Sequence, residues 1–225
     1  MRLLAGDTVP LNEGLLEDID LRIPEGMLNP RFPSDLAKCP PVVAGNVEVS
    51  QRIVDTLLKA FEVAACSQGT MNNLIFGNDN ASYYETIAGG EGATCDRDGA
   101  SGVHTHMTNT SITDPEILEW RYPARVELFS LRDGSGGKGV HNGGDGVIRC
   151  IRFTEAVEVS LLTQHREQAP FGIEGGEDGR VGRQWKVSSD GKRCPLSGNE
   201  TQKFNAGDAI EIHTPGGGGF GRREI

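Results

Sequence analysis

Paired cysteines, aromatic residues, basic charge and long apolar runs are all scarce in this sequence. The five cysteines, Cys39, Cys66, Cys95, Cys150 and Cys194, are odd in number, widely spaced and free of any C-x-x-C. That spacing argues against a disulfide framework and against a structural zinc site, and it fits reduced thiols in a cytoplasmic protein. Aromatics make up 6% and hydrophobic residues 36% of 225 residues, so the expected core is modest. The net charge is -10, with twelve acids against six bases in residues 1–90 and twenty against sixteen in 91–225. Neither part carries a basic excess, which disfavours nucleic acid or an anionic membrane as partner. No apolar run approaches the roughly 18 residues that span a bilayer, and Met1 opens no signal-like segment. There is no G-x-S-x-G for a serine nucleophile and no G-x-x-x-x-G-K-[ST] for a phosphate loop.

What is abundant is glycine, 31 residues without a collagen period. Seven fall in Gly134–Gly146, and others cluster at Gly89–Gly102 and Gly216–Gly221. Neither of the two later clusters opens a helix after a strand, so tight turns or close backbone packing explain them better than a phosphate cradle. Residues 1–44 are proline-rich and irregular, with Leu15-Leu16 and Ile19 to Ile23 as strand fragments. The clearest helix is 46–65. Asn46 suits its cap and Glu48 the positive end of its dipole. Val49, Ile53, Leu57 and Phe61 form an apolar stripe that predicts core packing, with Gln51, Arg52, Asp55 and Lys59 on the other side. Cys66 then lies at a helix C-terminus, the wrong end of the dipole for a nucleophilic thiolate.

Asp114-Pro115-Glu116 predicts a second helix of two to three turns, ending by Pro123. Strands are predicted over Ser82–Ile87, Arg125–Arg132, Val147–Phe153, Ala156–Thr163, Gln184–Ser188, Arg193–Leu196 and Ala209–His213. Ser189-Asp190-Gly191-Lys192 reads as a hairpin turn. The fold class is therefore α+β, with a helical layer before a β-rich C-terminal half, a barrel or sandwich. The expected division is a mixed helical lobe over 1–123 and a β-rich lobe over 124–225.

His104 and His106 form an H-x-H pair. On a strand, residues two apart face one side, so both rings could reach one metal. A third ligand would have to come from Asp96, Asp98, Glu85 or Asp114. Hydrogen bonding in a pocket is the favoured alternative on the residues alone, and a plain structural role stays open as well.

Seven collinear segments resemble the C-terminal part of the hydantoinase B/5-oxoprolinase family. They are IPEGMLNP (23–30), VVAGNVEVSQRIVDTLLKAF (42–61), CSQGTMNNLIFGN (66–78), YYETIAGGEGA (83–93), SGVHTHMTNTSITDPEILEWRYP (101–123), GSGGKGVHNGGDGVIRCIRF (134–153) and TPGGGGFG (214–221). The resemblance implies a partial hydantoinase B-type fold and a cyclic-amide hydrolase, opening 5-oxo-L-proline to L-glutamate with hydrolysis of ATP. Relatives open hydantoins or carboxylate ketones. It implies that ATP and a divalent metal serve the complete enzyme, with none bound by this chain alone. The implied partners are an A-type region and the N-terminal half of the B-type region, which carries the family's metal ligands; a homo-oligomer is a further expectation. His104, His106 and Asn109, with Glu85, are then expected to line a shared catalytic pocket. A truncated non-catalytic remnant, an interaction module, or a subunit acting on other cyclic amides are the alternatives.

Overall fold

Alternating burial in the strands and an aspartate cap on the second helix set the architecture. The computed structural model describes residues 10, 12–17, 19–39 and 48–223. Residue contacts divide the chain into Met1–Val43 and Ala44–Ile225. In the first unit, 3-10 turns form at Glu13–Leu16 and Leu36–Lys38, where the Asn12 and Asp35 side chains accept from Gly14 N and Ala37 N. Neither expected strand fragment forms: Leu16 lies in a turn and residues 19–23 have no regular structure.

Among the described residues the second unit holds two helices and nine strands: α1 (Ser50–Ala60), β1 (Asn73–Gly77), β2 (Ser82–Glu85), α2 (Pro115–Arg121), β3 (Ala124–Leu131), β4 (Val147–Phe153), β5 (Val157–Leu162), β6 (Arg183–Val187), β7 (Arg193–Pro195), β8 (Asn199–Phe204) and β9 (Ala209–His213). The fold is α+β and mostly β. Two antiparallel sheets run in the orders β2-β1-β5-β8 and β3-β4-β9-β6-β7. Both contribute to one core, which includes Leu74, Phe76, Ile151, Phe153, Val159, Phe204 and Ile212. Phe76 of the first sheet meets Phe153 of the second at 5.1 Å between ring centroids. Because β1 and β2 precede residue 123 while β5 and β8 follow it, residue 123 divides the sequence and not the sheets.

The Asp114 side chain accepts from Glu116 N and Ile117 N, and Pro115 takes the first helical position of α2. The turn between β6 and β7 has Gly191 at φ 85°, as a hairpin there requires. The Asn46 cap lies outside the described residues.

The glycine clusters form a third element that is neither helix nor sheet. Backbone segments near residues 65–68, 90–93, 99–102, 136–144, 171–179 and 215–221 hydrogen-bond to one another. Gly217 N donates to Gly144 O (2.9 Å), Gly144 N to Glu91 O (2.8 Å), Gly218 N to Cys66 O (2.8 Å) and Cys66 N to Phe171 O (2.9 Å). At Gly217 an added Cβ would overlap the carbonyl of Glu91. Close backbone packing accounts for the glycines in these loops.

Candidate functional site

The polar face of α1 points inward. Glu48, Gln51 and Asp55, spaced to lie on one helical face, are 4%, 0% and 2% exposed. Ile53, Leu57 and Phe61, the stripe expected to pack in the core, are 36%, 51% and 52% exposed. The reason is what α1 sits on. Its neighbours are irregular glycine-rich segments whose backbone groups lack sheet partners, and only polar side chains can satisfy them. Asp55 Oδ1 accepts from Ser67 N (3.2 Å), Glu48 Oε1 from Met71 N (3.0 Å), and Gln51 Nε2 donates to Thr105 O (3.2 Å). Glu48 is thus a buried hub and not a solvated partner of the helix dipole.

The expected H-x-H geometry does not form. His104 and His106 lie on an irregular segment, and His106 sits at φ 56°, which breaks the alternation that would aim both rings one way. The His106 ring is 11% exposed, and its Nε2 meets Asp55 Oδ1 at 2.8 Å. His104 is half-buried; burial lowers its pKa, and among the described residues its buried Nδ1 has no partner. Asn109 is exposed. Glu85 is elsewhere: at the end of β2 it makes a buried two-pronged pair with Arg149 of β4 (both contacts 3.1 Å) and accepts from Tyr83. Among the described residues no group of three or more His, Cys, Asp or Glu is placed to hold a metal ion.

Two residues beyond the expected set complete the cluster, His165 and Arg166, which directly follow the strand region of β5. His165 Nδ1 donates to Gln168 O (2.7 Å), so the neutral ring presents the lone pair of Nε2. That nitrogen faces Arg52 Nη1 and lies 3.7 Å from Cys66 Sγ. A Cβ on Gly69 would stand 2.5 Å from it, so only glycine leaves room for the ring. Cys66 is fully buried, and burial with the nearby Asp55 charge pushes its thiol up. A neutral thiol beside a neutral imidazole is not an activated nucleophile. Cys66 lies beyond the helix end, within the glycine-rich element, so burial rather than the dipole keeps it inert.

Glu48 and His165 carry opposite pH signatures. Burial pushes Glu48 up to about 7, despite hydrogen bonds from Met71, Thr70 and Asn73 and the Arg166 charge. Burial and then the Arg52 charge push His165 down to about 4. Between its unfolded pKa and about 7, Glu48 holds a proton in the folded chain that the unfolded chain releases, so its contribution falls as pH rises. Below its unfolded pKa, His165 refuses a proton that the unfolded chain takes up, so its contribution falls as pH drops. The two slopes oppose across roughly pH 4.5 to 6.5. Glu48→Gln should expose the rising slope of His165, and His165→Asn the falling slope of Glu48, each on the order of 3 kcal/mol at most. Urea unfolding at pH 5 and pH 8 checks this; a Glu48→Gln profile identical to that of the unaltered chain would rule it out.

Helix spacing carried the missed signal. Glu48, Gln51 and Asp55 recur on one face and were readable as a set, but amphipathicity does not say which face is inward. No local pattern marked His165 or Arg166.

Similarity to known proteins runs along the whole of this arrangement. The family model described as hydantoinase B/oxoprolinase matches residues 1–223. The 5-oxoprolinase 1 of Arabidopsis thaliana is 48% identical over 221 residues, 98% of this chain and 17% of that protein. A 5-oxoprolinase of Dictyostelium discoideum is 45% identical over 225 residues, again 17% of its length. The chain therefore spans about a sixth of these relatives. The crystal structure of an ATP-dependent caprolactamase from Pseudomonas jessenii aligns over 75% of this chain and 33% of its own, with a TM-score of 0.62 and 22% identity, a likeness of fold. With its glycine-rich element, its two sheets and nearly every residue inside the match, the chain belongs to the hydantoinase B/oxoprolinase family.

Proposed function

We propose that this chain forms one wall of an ATP-dependent cyclic-amide hydrolase that opens 5-oxo-L-proline to L-glutamate. The other walls come from an A-type region and from the N-terminal half of the B-type region. The observation that carries this reading is the 48% identity to a 5-oxoprolinase of which the chain spans 17%. The outward apolar stripe of α1 supports it, because an apolar face of this kind gains by burial against another surface.

The chemistry is coherent. An amide carbonyl is a poor electrophile, and phosphorylating its oxygen with the γ-phosphoryl group of ATP creates a leaving group. One water adds to that carbon and the ring C–N bond breaks with a proton delivered to nitrogen, leaving an acyl phosphate, which a second water hydrolyses to the carboxylate and inorganic phosphate. In this reading His104, His106 and Asn109 line the wall, with His106 held by Asp55. Glu85 supports the core behind them through Arg149. ATP is bound outside this chain.

The test is 5-oxoproline-dependent ATP hydrolysis by the chain alone and after adding the two completing regions of a relative. Activity only in the mixture supports the proposal. Activity of the chain alone would sink the composite site, and inactivity with competent completing regions would favour a remnant. Activity on hydantoins but not 5-oxoproline would move the substrate to other cyclic amides. In the active mixture, a Leu57→Ser/Phe61→Ser double variant should lose about tenfold or more in activity. Its stability as an isolated chain should change by less than about 1 kcal/mol, since both side chains are exposed.

A further inference from the structure

The chain is acidic overall, yet one groove gathers arginines without carboxylate partners. A cavity of about 240 Å³ is lined by Arg52, Thr163, Gln164, His165, Arg166, Glu167, Gln168 and Gly198. A second, of about 300 Å³, shares Arg166 as a wall and is lined further by Gly182, Arg183 and Trp185. Among the described residues, none of Arg52, Arg132, Arg166, Arg180 and Arg183 forms an ion pair with an acid, whereas Arg97, Arg149, Arg152 and Arg193 all do. We propose that the groove holding Arg52, His165, Arg166 and Arg183 is a binding site for a small oxyanion, the carboxylate or phosphate group of a ligand.

Arg166 is built into place. Its Nε donates to Gln184 Oε1 (2.5 Å), Nη1 to Gln164 O (2.6 Å) and Nη2 to Asn72 Oδ1 (3.0 Å). These acceptors are neutral, so they orient the guanidinium without cancelling its charge, and the rest of its fork stays available to a ligand. A Cβ on Gly182 would lie 2.5 Å from Arg166 Nη1, so glycine there lets the guanidinium rest against the backbone. A planar fork held this way matches a carboxylate or phosphate, which accepts two parallel hydrogen bonds.

The charges are also mutually unfavourable in the absence of an anion. Burial first, and then Arg180 and Arg183, lower the pKa of Arg132. Burial pushes Arg166 down to about 9, with Arg132 adding to the effect and Glu48 opposing it. The carboxylates facing the groove are few. Glu167 lines the rim and is exposed, Asp145 acts on Arg132, Asp55 acts on His165 from a buried position where it also holds His106, and Glu48 acts on Arg166 from a buried position that favours its protonated form. An anion seated between the guanidiniums would relieve this repulsion, and a groove walled by protein strengthens such an interaction relative to open water.

This site needs only the present chain and stands apart from the composite activity. Calorimetric titration of the full chain with inorganic phosphate, and separately with L-glutamate, tests it at fixed ionic strength set with chloride. The expected result is saturable binding of at least one, at least tenfold tighter than chloride. Phosphate alone would assign a phosphoryl ligand, and glutamate alone a carboxylate ligand. Arg52→Gln and Arg183→Gln, on side chains that are partly or fully exposed, should each weaken that binding about tenfold, the scale of one charge-assisted hydrogen bond. Arg125→Gln, on β3, should leave it unchanged. Absence of saturable binding by the unaltered chain, or equal weakening by all three variants, would overturn the proposal.

Discussion

Arg149→Met is expected to cost about 3–5 kcal/mol of unfolding free energy, a large share of a typical domain's stability. Arg149 comes from β4 in one sheet and Glu85 from β2 in the other, so their pair ties the two sheets across the core. Both side chains are nearly sealed from water, at 1% and 4% exposure. Nε and Nη2 each reach a carboxylate oxygen at 3.1 Å, and the Arg149 guanidinium stacks 5.0 Å from the Phe129 ring. Removing the cation strands a buried carboxylate that, among the described residues, keeps only the Tyr83 hydroxyl as a side-chain donor. Replacing both partners at once, as Glu85→Leu/Arg149→Met, should recover most of the loss, because no uncompensated charge then remains. Urea denaturation of the two variants measures the difference. A single-variant loss below about 1 kcal/mol would show that water reaches the pair and would reopen a catalytic role for Glu85.

Gly217→Ala should be comparably severe, at about 3 kcal/mol or more. Its backbone is hydrogen-bonded on both sides, from its own N–H to Gly144 O and from Gly137 N to its carbonyl, each at 2.9 Å. The atoms that a methyl group would strike are the Glu91 carbonyl and Gly92 N, which are main chain and cannot swing aside. Moving them breaks the bond from Gly144 N to Glu91 O as well. Gly134→Ala is the comparison. Gly134 has φ 69°, and an added methyl group there would meet nothing within 4 Å, so only left-handed strain of about 1–2 kcal/mol is expected. Thermal unfolding of both variants separates close approach from backbone conformation. Equal losses would mean that the glycine-rich element is loose enough to rearrange.

Much of the β-structure was legible because its residues alternate. β4 and β9 were predicted over the residues they occupy, and β2, β3, β5, β6 and β7 fall within one or two residues of expectation. Two strands were not legible. β8, Asn199–Phe204, is polar and buries only Phe204, so its pairing to β5 defines it rather than its composition. β1, Asn73–Gly77, is hidden behind the small polar run that precedes it and becomes a strand through β2 and β5.

The site was less legible than the fold. Glu85, His104, His106 and Asn109 lie within 25 residues of sequence, which made them look like one group. The chain places Glu85 in the core, His106 on Asp55, and Asn109 at the surface. Proximity in sequence says little when the intervening backbone turns through a left-handed residue such as His106.

By itself the sequence determined the α+β class, the aspartate-capped second helix, most strand positions and the family, since these depend on local period, capping chemistry and residue identity. Tertiary structure alone decided which face of α1 is buried, how the glycine clusters interlock, and that His165 and Arg166 join residues from α1. Each of those outcomes depends on what lies opposite. A helix set against unpaired backbone buries its hydrogen-bonding side chains and turns its apolar stripe outward.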